Sequence, residues 1–442
     1  MRYAKIVLIL LVATLIFSAD SSPVIKKETV WAETASKNSA KSQLRKRIIF
    51  KFSPGTPLAL KKAFFVKMGV WPVEFDVFGY DVTEGKGESD AAINRRMSGI
   101  MMALGREFAG GILEYEIESP EERPVPLSAG CLVNTPDNKK EGKLIVPWYD
   151  ESLGIGRTRK FLAGKESGLI PHGVVVVDSG AALIHPDIAP ALKKDSEGKP
   201  IFWARDKKNY KPENHGTHVA CLAAAYYDGK GMDGVAGPAA YILPVALNYY
   251  DNNYYFSSDI AIGLKYYKGL EDGGTVVFRA VNMSFGLRRE LRIFRAAIKA
   301  MPGKLFVVAA GNEQSDMGRK KHYPASWRFP NVIAVASVSH GDELSGFSNY
   351  GKETVDIAAP GSAIVSCVAD GKYEIWQGTS MASPLVAGAL TLIWSISPDL
   401  DVADAKRILF AAADTVPGLK KKVKDGRRLN VYEAASRAYK ER

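Results

Sequence analysis

Four polar side chains sit at the ends of apolar runs, two where a run stops and two where one begins. The run GVVVVD ends on Asp178, and a carboxylate at the end of a buried strand needs partners, because burying it alone is costly. HGTHVACLAAA (215–225) puts His215 at the start of a helical run rich in small residues, with His218 one turn on. The positive end of that helix disfavours imidazolium, which keeps His215 neutral and able to accept a proton. GTSMASP (378–384) places Ser380 where the apolar helix LVAGALTLIWSI begins. The Ser380 backbone amide is one of the unpaired donors of a helix start, which can hold an anion, and Pro384 reads as a proline of the first turn. VVAAGN ends on Asn312, whose side-chain amide can donate to an oxygen that becomes negative.

Each of these has a plainer reading on its own. Asp178 precedes Ser-Gly, a common turn; two histidines can satisfy a helix cap; Ser380 can be a cap; Asn312 can close a turn. The His215-x-x-His218 spacing also allows a metal pair, but no acidic ligand pattern accompanies it. Taken together, the four form an ordered series of Asp, His and Ser, with an amide donor between His and Ser.

The elements that must position them read as follows. GVVVVDSG, AAYILPVAL, GTVVFRAVNMS, KLFVVAAGN, NVIAVASV and TVDIAAPG are strand-length apolar runs alternating with helical stretches. Runs such as VVVV and LFVVAA are apolar on both faces, as strands are when helices cover both sides of a parallel sheet. The fold class expected is therefore α/β with a parallel central sheet, and in such sheets sites form at the carboxyl ends of the strands. Ahead of it, residues 46–118 predict a small α+β unit of order βαβαβ. Its strands are KRIIFKF, VFGYDVTE and GILEYEIE, and its helices PLALKKAFFVKMG and SDAAINRRMSGIMMALGREF. The expected division is a signal peptide over 1–20, a polar linker over 21–45, the α+β unit over 46–118, an exposed connector over 119–146 and the large domain over 147–442. DVADAKRILFAAADTV and RRLNVYEAASRAYK predict two closing helices.

Composition narrows the class. The 442 residues are 46% hydrophobic and 24% charged, with 40 Gly and 23 Pro, enough for one large core plus a smaller one. The formal charge of +11 is spread out apart from KKKVKDGRR, and no basic-aromatic stripe points to nucleic acid. MRYAKIVLILLVATLIFSA has two early cations and an apolar run that suits a secretory signal better than a membrane span. Three cysteines, Cys131, Cys221 and Cys367, allow at most one internal pair. Cys221, within a buried-looking helix, reads as a packing residue.

The motifs DSG, HGTHVA, NMSFG, AAGN, DIAAPG and GTSMASP, in this order, resemble the subtilisin-like serine peptidases over roughly residues 147–435. The order Asp, His, Ser is itself a standard feature of that family. The resemblance implies a subtilisin-like parallel sheet and a serine endopeptidase working through an acyl-enzyme. It assigns Ser380 as nucleophile, His215 rather than His218 as general base and acid, and Asp178 as the group that orients the imidazole. Asn312 and the Ser380 amide would form the oxyanion hole. A GxSxG elbow is absent, since Ala382 follows Ser380 by two, which argues against an esterase. Where the family commonly has Gly and His, this chain has Cys221 and Leu385; both positions fall in helices and imply altered packing.

The resemblance also places a substrate edge at NMSFG, with Ser284, Phe285, Gly286, Ala310 and Gly311 lining the primary pocket, and peptides or proteins as substrates. Such a pocket usually favours apolar or aromatic side chains, and Glu313 is either a contact for a basic one or simply solvated. No cofactor is required for the chemistry; YYDGKGMDGVAG (226–237) lies where the family often binds a structural calcium, with Asp228 and Asp233 as its oxygen donors. Residues 46–118 look like the inhibitory propeptide of a zymogen, implying an intramolecular inhibitor that is cut off, and a monomer thereafter. Secretion or a periplasmic location is expected, with anchoring by an uncleaved signal as the variant. The competing function is a binding or regulatory protein of the same fold whose cleft stays blocked.

Overall fold

The structure, a computed structural model, describes residues 46–52, 77–82, 113–118, 144–208, 210–247, 257–288 and 290–442. The signal, the linker, the two helices expected within 46–118, most of the connector and Cys131 lie outside the described residues. The chain divides into two compact units, 1–120 and 121–442. The first contributes three strands, β1 (Lys46–Phe52), β2 (Val77–Val82) and β3 (Leu113–Glu118), in an antiparallel sheet with β1 in the middle.

The second unit opens with β4 (Leu144–Ile145), α1 (Trp148–Leu153) and α2 (Ile155–Leu162), followed by β5 (His172–Asp178), β6 (Trp203–Ala204) and α3 (Asn214–Ala224). Next come β7 (Gly231–Met232), β8 (Ala240–Ala246), α4 (Ser257–Asp272), β9 (Phe278–Met283), α5 (Arg292–Lys299), β10 (Leu305–Ala309) and β11 (Val332–Val338). The unit ends with β12 (Ile357–Pro360), β13 (Ile364–Cys367), β14 (Tyr373–Trp376), α6 (Thr379–Ile396), α7 (Val402–Ala412), β15 (Asp414–Thr415), β16 (Arg427–Arg428) and α8 (Val431–Lys440).

Nine strands form the central sheet in the order β15-β16-β12-β11-β10-β9-β5-β8-β6. Every neighbouring pair is parallel except β15 with β16 at the edge. Strand β5 lies between β8 and β9 and is buried along its whole length. Its side chains alternate between two cores. Val174 and Val176 join one with α3, α6, α7 and α8, while Val175 and Val177 join the other with α4 and α5. The uninterrupted valine run is thus the signature of a strand covered on both faces.

Helix α6 is the axis of the first core. It is apolar and long enough to cross a membrane, yet all 18 of its residues are buried inside the protein. Its close packing on α3 requires a small residue: a β-carbon at Gly388 would come 2.6 Å from the Ala223 carbonyl oxygen. Pro384 sits in the second turn of α6, not the first as expected. Lacking an N–H, it leaves the carbonyl four residues back, that of Ser380, without a helical donor, and the Ser284 hydroxyl donates to that carbonyl at 2.8 Å.

One reading from sequence needs correction. Cys221 is not simply a packing residue: it forms a disulfide with Cys367, 146 residues away, tying α3 to β13. Chain separation hid the pair, since only the fold brings the two elements together. Closing so long a loop restricts the unfolded chain strongly, which typically stabilises by about 2–5 kcal/mol. Replacing both cysteines (Cys221→Ala with Cys367→Ala) is expected to cost about that much in denaturant unfolding, with wild-type protein under reducing conditions behaving alike. An unchanged midpoint in the double variant would contradict the pairing.

Candidate active site

The sheet delivers Asp178 at the carboxyl end of β5, third strand from one edge, where it is 5% exposed. Two donors meet its Oδ1: the Ser179 amide at 2.7 Å and the His215 Nδ1 at 2.8 Å. Because a carboxylate only accepts, Nδ1 must carry the proton, which leaves Nε2 of a neutral ring as a lone pair. His215 is the second residue of α3, partly exposed. A surface depression beside it is lined by Glu213, Asn214, His215 and Trp376.

The contact between β5 and α3 depends on two glycines. Gly180 has φ +93°, a left-handed conformation that favours glycine. A β-carbon on Gly216 would collide with the Gly180 carbonyl oxygen. Polar bonds hold the two segments at that distance: the Gly216 amide donates to Ser179 Oγ at 2.9 Å, and the Ala182 amide to Thr217 Oγ1 at 3.0 Å.

Ser380 enters from the start of α6, as its second residue and 6% exposed. Its hydroxyl donates to the Ser284 carbonyl at 3.0 Å, so its single proton is committed there and not to His215. The Ser284 hydroxyl in turn reaches the Ser380 carbonyl and lies 2.9 Å from Ser383 Oγ, and it accepts from Asn282 Nδ2 at 3.0 Å. The segment Ser284–Gly286 is thereby bonded directly to the turn that carries Ser380.

Asn312 is oriented without ambiguity. Its Oδ1 accepts from the Thr379 amide and from Thr379 Oγ1, both at 2.9 Å. A backbone amide can only donate, so the oxygen must face Thr379 and the NH₂ group is the end left to donate elsewhere. Thr379 Oγ1 also accepts from the Gly311 amide at 3.1 Å, which joins the residues before Asn312 to the same helix start. The buried Asn349 fixes the far side: its Nδ2 donates to the Ala310 carbonyl at 2.9 Å and to Glu313 Oε2 at 2.5 Å, while its Oδ1 accepts from the Glu313 and Ser315 amides. Glu313 is therefore bonded at one oxygen while 41% of its side chain stays exposed.

The sequence reading missed Trp376, Asn349 and His322, all near these groups. Trp376 stacks on His218 at 5.0 Å between ring centroids and lies 6.1 Å from His215. His218 itself is fully buried, with Nε2 3.2 Å from the Glu374 carbonyl oxygen. It is thus a structural ring between α3 and β14 rather than a helix cap.

Asp228 and Asp233 do not fit a calcium cage. Asp233 Oδ2 is ion-paired with Arg159, and Asp228 Oδ1 accepts the Lys230 amide at 2.9 Å within its own turn. A hard cation needs several converging oxygens, and here a guanidinium already takes that place on Asp233. Among the described residues, His185, Asp187 and Cys367 lie closest to a ligand set, but the Cys367 sulfur is bonded to Cys221 and Asp187 Oδ2 accepts from the Met232 amide and the Tyr373 hydroxyl.

Comparison with known proteins bears on this arrangement. Residues 173–432 match the profile of the Subtilase family. The chain is 34% identical over 266 residues to a "Thermophilic serine proteinase" from Bacillus sp. (strain AK1), covering 60% of this chain and 61% of that protein. It is 32% identical over 244 residues to "Subtilisin" of Bacillus pumilus, covering 54% and 82%. It is also 32% identical over 248 residues to "Subtilisin-like protease 2" of Plasmodium falciparum, of which it spans 18%. Thus it spans less than two thirds of the first and third of these relatives. Among solved structures, the A-subunit of the AB5 toxin from E. coli superposes with a TM-score of 0.51 at 26% identity, covering 66% of this chain and all of that one.

The buried His218 carries a measurable consequence. Burial pushes its imidazole from the ordinary 6.5 down to about 3, so the folded protein keeps the ring neutral where the unfolded chain would protonate it. Its stabilising contribution is complete above about pH 6.5 and is lost as pH falls from there towards about 3, by up to roughly 1.4 kcal/mol per pH unit. His218→Phe, which keeps a ring against Trp376, is expected to flatten the acid side of the stability curve. In the wild-type chain the His218 ring resonances should not titrate between pH 8 and 4; a midpoint near 6 would contradict the assignment.

Proposed function

Because the chain belongs to the subtilase family, we propose that it is a serine endopeptidase that hydrolyses peptide bonds through Ser380, His215 and Asp178. The observation that carries this reading is the 2.8 Å contact between Asp178 and His215 at the carboxyl edge of the sheet, which sets the imidazole tautomer needed by a general base. Ser380 Oγ attacks the substrate carbonyl carbon and its proton passes to His215 Nε2. Asp178 holds the Nδ1 proton and stabilises the imidazolium that forms. The carbonyl oxygen, now an oxyanion, takes hydrogen bonds from Asn312 Nδ2 and the Ser380 amide. Collapse expels the amine, which takes the proton back from His215 and leaves an acyl group on Ser380. Water, activated by the same imidazole, releases the acid and restores the hydroxyl.

To begin this cycle the Ser380 hydroxyl must leave the Ser284 carbonyl and turn to His215. One neutral hydrogen bond is worth about 0.5–1.5 kcal/mol net, a small part of any enzymatic barrier. The substrate is a peptide in extended form, pairing its backbone with Ser284–Gly286; Ser284, Phe285, Gly286, Ala310 and Gly311 surround the side chain on the acyl side of the cleaved bond.

We further propose that the chain is made as a zymogen and secreted. The unit over 46–118 acts as the inhibitory propeptide and is cut away between β3 and the start of the large unit, and the mature protein is a monomer. Amino-terminal sequencing of the protein from the culture medium is expected to start after residue 118 and before Trp148; recovery only of the intact chain from washed membranes would overturn secretion and processing.

The catalytic assignment has a direct test. A fluorophosphonate should label wild-type protein at Ser380, and Ser380→Ala should abolish labelling and lower kcat by roughly 10⁶-fold, the size known for subtilisin itself. Asn312→Leu should leave labelling possible but lower kcat by about 10²–10³, again a magnitude taken from subtilisin. Unchanged hydrolysis by purified Ser380→Ala protein would end the assignment.

A further inference from the structure

We propose that His322 fills the floor of the primary pocket, so that this chain cleaves after small side chains such as Gly, Ala or Ser and rejects aromatic ones. The proposal rests on the endopeptidase reading and narrows its substrate class. In the endopeptidase reading, Gly286 and Gly311 supply the two backbone walls of the primary pocket. A β-carbon on Gly286 would run into Nε2 and Cδ2 of His322, and one on Gly311 would come 2.8 Å from its Cε1. A single imidazole that touches the α-carbon region of both walls lies in the gap between them, the space a planar substrate side chain would use.

The ring is not a loose surface group. His322 is 6% exposed, and its backbone is stapled to the pocket wall. Leu287 and Tyr323 exchange two backbone hydrogen bonds of 2.7 and 2.8 Å, and the His322 amide donates to Ser326 Oγ at 2.9 Å. On its other side, Nδ1 faces Glu313 Oε2 at 3.7 Å, and that oxygen is held by Asn349. A β-carbon on Gly311 would also lie 2.7 Å from Glu313 Oε2, so imidazole and carboxylate together close the pocket below its glycine walls. An incoming ring would have to displace a buried side chain, and close-packed surroundings do not yield cheaply.

Even a single methylene in such a pocket changes kcat/KM about 10–200-fold; a ring competing for the same volume as an imidazole belongs at the upper end. The test uses the protein expressed as the full chain and purified after its amino-terminal unit has been cut away, with acyl-tetrapeptide amides that differ only in the residue before the cleaved bond: Gly, Ala, Leu or Phe. Wild-type protein is expected to favour Ala over Phe by roughly ten-fold or more in kcat/KM. His322→Gly is expected to raise the Phe:Ala ratio by roughly ten-fold or more, with His322→Ala doing the same in part should the glycine variant fail to fold. A merely structural histidine would lower both rates and leave their ratio alone. Preference for Phe in the wild-type protein, or an unchanged ratio in a folded variant, overturns the pocket assignment while leaving the endopeptidase reading intact. Hydrolysis of none of the four peptides overturns both.

Discussion

A carboxylate buried at the end of a strand dictates how this protein is put together. Asp178 has lost almost all its contact with water, and a charge in that position is tolerable only with donors aimed at it. One donor comes free, from the next residue's amide. The other must be carried in by a separate element, and α3 carries it as His215. The helix can come that close only because Gly216 has no side chain to meet the Gly180 backbone. Electrostatic demand and steric permission therefore act on the same few residues. A side chain at 216 would move the imidazole away from the carboxylate and leave the charge under-satisfied.

Helix α6 solves a related problem at its own start. A helix normally bonds the Ser380 carbonyl to the amide at position 384, but a proline stands there. The released acceptor is taken by the Ser284 hydroxyl, while the Ser380 hydroxyl bonds back to the Ser284 carbonyl. This reciprocal pair fixes the distance between the helix start and the segment after β9. The Thr379–Asn312 bonds do the same for the segment after β10. Three segments, after β9, after β10 and at the start of α6, are thus locked by hydrogen bonds among backbone and short side chains, groups with little conformational entropy to lose.

Much of this was legible in the chain. GVVVVD and KLFVVAAGN announced two-sided burial, and the parallel sheet followed; Asp178 and Asn312 stood out as polar residues closing apolar runs, and His215 and Ser380 as polar residues opening them. What stayed hidden depends on contacts distant in sequence. Cys221 and Cys367 look like unrelated residues until α3 and β13 are brought together, and the antiparallel β15–β16 edge carries too few residues for any periodicity. Pro384 was placed one turn early because a helix start is invisible where GTSMASP reads equally well as loop or helix. Glu313 was read as either solvated or pocket-facing, for the partner that holds it, Asn349, lies 36 residues on. Nothing around His322 marks it as special: RKKHYP has neither periodicity nor an apolar run.

That contrast has a physical origin. Groups at strand ends and helix starts are positioned by hydrogen-bonded elements, whose geometry is local and leaves a pattern in the sequence. The pocket floor is positioned by a loop, residues 313–329, pinned by short bridges between Leu287 and Tyr323 and between Asp316 and Tyr350. A change in such a loop need not disturb the Asp178–His215 contact or the Ser284–Ser380 pair, since none of those bonds involves it. Chemistry and selectivity are therefore carried by separable parts of the fold. The chemistry is bound to the sheet, where a shift of one strand would unpair a buried charge, while selectivity rests on His322, carried by a loop that Met317, Ala325 and Trp327 anchor in the core.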